Sequence, residues 1–320
     1  MGICTSCLKP TNKDEYNQID VQEETWQCIR IIDGHEDFID CLIFLENNNL
    51  LSISCNGTLK VWNKENFKCI LTLKQNNKWN PCVCLMKNGN IATGYEDGII
   101  KIFDQNSLNL IQEFEGHKSS INCLKVLENG CLISGSNDNT LKVWDCENFK
   151  CLRILDEHKN SVMCLEVLKN GDFVSGSLDA TIKIWNKDNF KCIRTLKNHK
   201  MSINCLVILE NGNLISGSKD GLIKIWDSQR FKCIQTLGHE QHSVKCIVIN
   251  KNRNLVCVYK NGEIKIWDLN SFKCTQILYE LNDYVSCAMT LDNGNLIIGC
   301  NTSFKIWSSN QSDYYSIRNN

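Results

Sequence analysis

The chain has 320 residues, and 35 lysines and arginines against 36 aspartates and glutamates leave a net charge of −1. No global basic field therefore draws it onto nucleic acid. No apolar run approaches the roughly 18 residues that span a bilayer, and the N-terminus lacks the apolar core of a secretory signal, so the chain is expected to stay in the cytosol.

Residues 1–24 read as a flexible tail. Met1-Gly-Ile-Cys-Thr-Ser6 fits the M-G-x-x-x-[ST] pattern for N-myristoylation, with Gly2 exposed once Met1 is removed. Glycine is required there because the acyl group goes onto an unhindered α-nitrogen. Cys4 and Cys7 fall outside the periodic cysteines of the rest of the chain, and a thiol two residues from a myristoylated glycine is placed for palmitoylation. The start is similar to the dual-acylated N-termini of Src-family kinases and G-protein α subunits. One myristoyl chain holds a membrane only marginally, so a second signal is needed. A polybasic patch does not supply it: residues 1–25 set Lys9 and Lys13 against Asp14, Glu15, Asp20, Glu23 and Glu24, and anionic lipid repels that balance. The second signal then falls to Cys4 or Cys7. As a zinc or redox C-x-x-C the pair lacks two further ligands at matching spacing and a strand-to-helix junction. The remaining alternative is an unmodified polar terminus.

From Trp26 onward the chain repeats itself. Trp62-Asn63, Phe103-Asp104, Trp144-Asp145, Trp185-Asn186, Trp226-Asp227, Trp267-Asp268 and Trp307-Ser308 follow one another at 41, 41, 41, 41, 41 and 40 residues. The 21 cysteines keep the same period. Cys41, Cys82, Cys123, Cys164, Cys205, Cys246 and Cys287 form one series, and Cys28, Cys69, Cys151, Cys192, Cys233 and Cys274 a second, with Leu110 in its gap. Cysteine is expected here as a small core hydrophobe, used as a free thiol.

Glu115–Leu155 is the clearest unit. Gly116-His117 leads into an apolar strand over 121–127, Asn129-Gly130 turns into a second over 131–136, and Asn137-Asp138-Asn139 turns into a third over 140–144. In the third, Leu141 and Val143 alternate with Lys142, the period of a strand, and a fourth runs over 149–155. Four short antiparallel strands at a period near 40 residues, ending on such a dipeptide, mark one propeller blade. The chain resembles the WD-repeat family over nearly its whole length. The resemblance implies an all-β, seven-bladed propeller over 25–308, with 309–320 as a C-terminal tail.

It also implies a buried hydrogen-bond chain in each complete blade, from tryptophan to serine to histidine to the turn aspartate. Blade 3 has His117, Ser134, Asp138 and Trp144; blade 4 has His158, Ser175, Asp179 and Trp185; blade 5 has His199, Ser216, Asp220 and Trp226. A Ser-His-Asp set invites a catalytic reading, but an active site has no reason to recur three times at one period. Blade 1 has Asn56 for the aspartate. Blade 2 has Asn76 and Phe103, blade 6 has His239 one place early with Cys257 and Asn261, and blade 7 has Leu281 and Ile298. The 6-7-1-2 arc is therefore expected to be the more deformable half. Blade 7 also ends after three strands, while Trp26–Ile31 matches Phe149–Ile154 almost residue for residue. The N-terminal strand is expected to complete blade 7 and close the ring.

In such propellers the residue just before each innermost strand points to the rim of the central channel. Here those residues are Phe38, Trp79, Ser120, Ser161, Ser202, Ser243 and Tyr284. The three aromatics fall on neighbouring blades 7, 1 and 2 and read as partner anchors, with Met163 and Leu178 across the channel. Forked arginines are scarce, which disfavours a phosphopeptide reader. Lys118, Lys159 and Lys200 leave an acidic-peptide option open. His242 alone stands outside the histidine pattern, with no base, nucleophile and orienter converging on it. The expectation is a monomeric, non-enzymatic interaction scaffold without cofactor or metal, held to a membrane by acyl chains and binding protein on the channel rim. The alternatives are a soluble adaptor, in signalling or ubiquitin-ligase recruitment, and a G-protein β-like subunit. The second would need an N-terminal coiled coil, for which residues 8–24 are too short and lack heptads.

Overall fold

The computed structural model describes residues 26–75, 82–279 and 285–309. Among these residues there are seven four-stranded antiparallel sheets and no helix. In blade 3 the strands run Ile121–Val126, Leu132–Ser136, Leu141–Trp144 and Cys151–Leu155 from the channel outward, one or two residues inside some of the ends that the pattern predicts. The second strand is buried throughout because it has a strand on each side and a neighbouring blade on each face. Its sequence is accordingly a run of apolar and small residues without alternation. The second residue of the repeated dipeptide shapes the next turn. Asp145 Oδ1 accepts the Glu147 amide at 2.7 Å, and Asn63 Oδ1 accepts the Glu65 amide at 2.9 Å, so aspartate and asparagine serve alike there.

The core lies between blades. Leu127, Ile133, Val143 and Leu155 of blade 3 pack with Val162, Leu165, Phe173 and Trp185 of blade 4, and the other six seams are built the same way. Close approach at these seams explains the first cysteine series. A Cβ on Gly135, Gly176 or Gly217 would lie 2.6–2.7 Å from the Sγ of Cys123, Cys164 or Cys205. It would meet Val162, Ile203 or Val244 of the next blade at the same distance. In that first series Cys164 is buried and the other six are half-buried, and the second series departs further from a core role. Its cysteines stand on the outermost strands, where no further strand covers them: Cys69 and Cys151 are exposed and the other four are half-buried. All the described cysteines are free thiols.

The N-terminal strand Gln27–Asp33 pairs with Ser303–Ser308 as the fourth strand of blade 7. Cys28 lies opposite Trp307 and Arg30 opposite Ile306, with a one-residue bulge between. Blade 3 has that bulge at the same place, where Cys151 opposes Trp144 and Arg153 opposes Val143. Ile32 joins Ile297, Phe304 and Ile306 against Ile39, Leu42, Leu50 and Trp62 of blade 1, so the closing strand also supplies core at the final seam. The Ser286 hydroxyl donates to the Ile39 carbonyl across that seam.

On the face opposite the tetrad loops, the first turn of successive blades carries Glu46, Lys87, Glu128, Lys169, Glu210, Lys251 and Asp292, all exposed. Each lysine of blades 2 and 4 donates to the backbone of the next blade, Lys87 Nζ to Glu128 O and Lys169 Nζ to Glu210 O. Alternation cannot close around an odd ring, and it fails at the 7–1 seam, where Asp292 and Glu46 are both acidic.

Candidate functional site: the channel-rim face

Two sets of loops gather on one face of the ring: those entering the innermost strands, and the turns between second and third strands. The tetrads tie the two sets together. In blade 3 the Trp144 indole donates to Ser134 Oγ at 2.8 Å. Ser134 Oγ and His117 Nε2 are 2.6 Å apart, and His117 Nδ1 is 2.9 Å from Asp138 Oδ2. Blade 4 repeats the chain at 2.8, 2.7 and 2.8 Å through Trp185, Ser175, His158 and Asp179. Blade 5 repeats it at 2.9, 2.8 and 2.9 Å through Trp226, Ser216, His199 and Asp220. One proton arrangement satisfies every member: the indole donates to serine, serine to Nε2, and Nδ1–H to the carboxylate. Burial pushes the Asp138 carboxyl up, but hydrogen bonds from Thr140, His117 and the Lys118 amide outweigh it and bring it to about 2. Asp220 sits at about 2 in the same way, held by His199 and the Lys200 amide. The serine of each tetrad is fully buried, so no substrate reaches its hydroxyl without unfolding the blade.

The incomplete blades leave donors unpartnered. In blade 1, Trp62 Nε1 reaches Ser52 Oγ at 2.7 Å and His35 Nε2 reaches it at 2.6 Å. Asn56 spends its Oδ1 on Ser54 Oγ and the Thr58 amide, and His35 Nδ1 is buried without a partner. Burial, then the charge of Lys60, pushes His35 down to about 4. Blade 6 buries Trp267 Nε1 and Tyr259 Oη without partners, and blade 7 buries Trp307 Nε1 so. Every one of these groups lies on blades 6, 7 and 1.

The sequence reading overlooked two tyrosines in this context. Tyr95 and Tyr259 replace the last serine of the second strand in blades 2 and 6, two of the three blades without a tetrad histidine, and both are buried. Each ring has a lysine over it, Lys101 at 5.3 Å and Lys265 at 5.2 Å. Tyr95 Oη also donates to Gln75 Oε1 at 3.1 Å. The signal was a tyrosine at a period otherwise held by small residues.

Of the rim residues, Phe38 is 43% exposed. Trp79 and Tyr284 lie outside the described residues, as do Asn76, Leu281, Gly2, Cys4 and Cys7. Ser120, Ser161 and Ser202 are buried rather than presented to the channel. Their carbonyls accept the Asn137, Leu178 and Lys219 amides of the facing turn, as the Phe38 carbonyl accepts the Cys55 amide. Leu178 is 41% exposed and Met163 half-buried, both on blade 4. Met201, in the loop entering blade 5, is 43% exposed and joins them, although its position carries no periodic signature. Exposed His239 and His242 lie in the loop entering blade 6. Among the described residues no group of three histidines, cysteines or carboxylates is placed to hold a metal ion.

A family model described as WD domain, G-beta repeat, matches residues 26–63, 67–104, 108–145, 149–186, 190–227 and 231–268. The chain belongs to the WD40 family. Each matched stretch runs from an outermost strand to the repeated dipeptide of the next blade, and the first stretch begins at the strand that closes the ring. The WD40 model leaves out 285–308, the three strands of blade 7, where histidine, serine and aspartate are all missing. Among solved structures, the crystal structure of the WD40 beta propeller domain of Doa1 superposes with a TM-score of 0.79 at 24% identity, covering 90% of this chain and 99% of that one. At that identity the likeness speaks for fold alone. No curated protein matches the chain. The WD40 propeller fold supports a protein-interaction scaffold role.

Proposed function

We propose that this WD40 protein is a non-enzymatic scaffold that binds protein partners on its channel-rim face while N-terminal acyl chains hold it to the cytoplasmic side of a membrane. The observation that carries the non-enzymatic reading is the burial of serine and histidine in all three Ser-His-Asp sets found among the described residues. A group that cannot be reached cannot turn over substrate. The rim reading rests on Phe38, Leu178 and Met201, large apolar side chains exposed on loops around one channel mouth. The tether reading rests on Gly2, Cys4 and Cys7. It gains support from the direction of the closing strand. Asp33 lies by the rim, beside the His35 loop, whereas Gln27 opposes Ser308 at the far end of blade 7. The tail therefore joins the propeller on the face away from the rim, and a membrane anchor and a bound partner need not compete. Tethering would raise the partner's local concentration there.

Photo-crosslinking in cells tests the rim assignment. A crosslinkable residue at Phe38, Leu178 or Met201 should trap a common partner, and one at Asn129 or Glu210 on the opposite face should not. Trapping only from the opposite face would refute it.

A further inference from the structure

Charge on the rim is segregated around the ring. Lys118, Lys159 and Lys200 follow the tetrad histidines of blades 3, 4 and 5, while Glu36 follows His35 on blade 1. Lys219 and Lys260 open the turns after the second strands of blades 5 and 6, where blade 2 has Glu96. At the second position of the innermost strand, Lys245 of blade 6 corresponds to Asp40 of blade 1. Basic side chains thus predominate on blades 3–6, and Asp37, Asp40, Glu96 and Asp97 mark blades 1 and 2, with Glu36 paired to Lys74 at 2.6 Å. The basic arc is neutralised only in part: Asp156 and Glu157 stand in the loop entering blade 4, and Glu157 pairs with Lys183 at 3.6 Å. Asp138, Asp179 and Asp220 turn inward to their histidines, and Lys200 pairs with Glu240 at 2.6 Å. Lys118, Lys159, Lys219 and Lys260 are exposed and have no ion-pair partner among the described residues. Leu178 and Met201 stand within this arc, on adjacent blades.

We infer that the basic arc of blades 3–6 receives an extended acidic segment of a partner protein, with an apolar side chain of that segment seated by Leu178 and Met201. This rests on the rim reading above and names its partner's chemistry. Opposite charge favours that segment over blades 3–6, and the unpaired blade 1–2 carboxylates repel it, which selects one arc of the rim. Carboxylates fit better than phosphate esters here. Lysines scattered over four blades act as separate point charges, whereas a phosphate pocket draws on converging forked donors. The described arginines are elsewhere: Arg30, Arg153 and Arg194 are on outermost strands, and Arg230 and Arg253 lie in turns of the opposite face.

Selection of short random peptides on the full-length protein tests this, using wild type, a Lys118→Glu/Lys159→Glu/Lys219→Glu/Lys260→Glu variant and a Leu178→Ser/Met201→Ser variant. A thermal melt confirms that both variants are folded. Enriched peptides should be acidic with one or two large apolar residues. They should bind about tenfold more weakly when salt is raised from low to physiological levels, and lose binding to the lysine variant. Peptides that are neutral or basic, or that bind the lysine variant unchanged, overturn the acidic-segment inference. If those peptides still depend on Leu178 and Met201, the rim reading survives; if they ignore both variants, or nothing is enriched, it fails too. Lysine-dependent binding of inositol hexakisphosphate or phosphatidylserine vesicles without acidic peptides would reassign the arc to phosphate and also overturn the inference.

Discussion

Asn56→Asp should repair the one tetrad that lacks only its acid. In blades 3–5 the aspartate uses Oδ1 for the turn and Oδ2 for the histidine, as Asp138 does with the Thr140 amide at 3.0 Å and His117 at 2.9 Å. Asn56 already performs the turn task through Oδ1 at 3.0 Å from the Thr58 amide. Its other terminal atom is an NH₂ donor where His35 Nδ1–H needs an acceptor. Relieving one buried unpartnered N–H is worth about 1–3 kcal/mol. The fall of Asp138 from 3.8 to about 2 gives a second measure, about 2 kcal/mol at neutral pH. These describe one interaction and are not summed, so about 2 kcal/mol of stabilisation is expected, raising Tm by about 3–6 °C for a domain of this size.

The pH profile of that gain has a definite shape. His35 in the wild type is held down to about 4, so its contribution is whole above 6.5 and drains away as pH falls toward 4. A neighbouring carboxylate lifts His35 and spares that loss, so the Tm difference should widen from pH 7 to pH 5. A depressed carboxyl contributes above its unfolded value of 3.8 and loses that contribution as pH falls toward 2, so the difference should collapse below pH 4. Calorimetric melts of both proteins from pH 3 to 8 measure it. A Tm at pH 7 equal to or below wild type would refute the reading of His35 as an unmet donor.

Gly135→Ala should destabilise by about 1–3 kcal/mol through overpacking, because the new methyl meets Cys123 and Val162 at 2.7 Å. Gly130→Ala, with φ at +89° and nothing within 4 Å, should cost about 1 kcal/mol from backbone strain alone; urea unfolding of both separates the two causes. In native protein, maleimide should label Cys69 and Cys151 first among the described cysteines. Cys123, Cys164 and Cys205, whose thiols burial pushes well up, should react only on unfolding, as peptide masses would show. Deleting residues 25–32 removes the partner of Ser303–Ser308 and uncovers Phe304 and Ile306. The product should aggregate or lose its cooperative melt, and a monomer with wild-type Tm would contradict closure by that strand.

The repeat made most of this legible, because a 41-residue period aligns each blade with the next and lets a missing strand be found at the other terminus. The Cys28 and Trp307 positions fell into the register of Cys151 and Trp144 with nothing but sequence to guide them. Burial was less legible. One series of cysteines and the other share a period and a composition, yet the inner cysteines sit at the close seam with the next blade while Cys69 and Cys151 of the outermost strands are exposed. The rim serines carried the same trap, since the position before the innermost strand buries serine in blades 3–5 and exposes Phe38 in blade 1. Tyr95 and Tyr259 were missed because substitution was read only within the tetrad, while both stand two positions beyond the place of its serine on the second strand.

The claim that joins these parts is a rim-binding propeller held at a membrane, and its most direct test is the intact mass of the N-terminal peptide from eukaryotic cells. Myristate on Gly2 with palmitate on Cys4 or Cys7 is the expected result, with Gly2→Ala and the Cys4→Ser/Cys7→Ser protein both moving from the membrane to the cytosolic fraction. An unmodified tail, or an acylated one whose loss leaves the distribution unchanged, would contradict the tether.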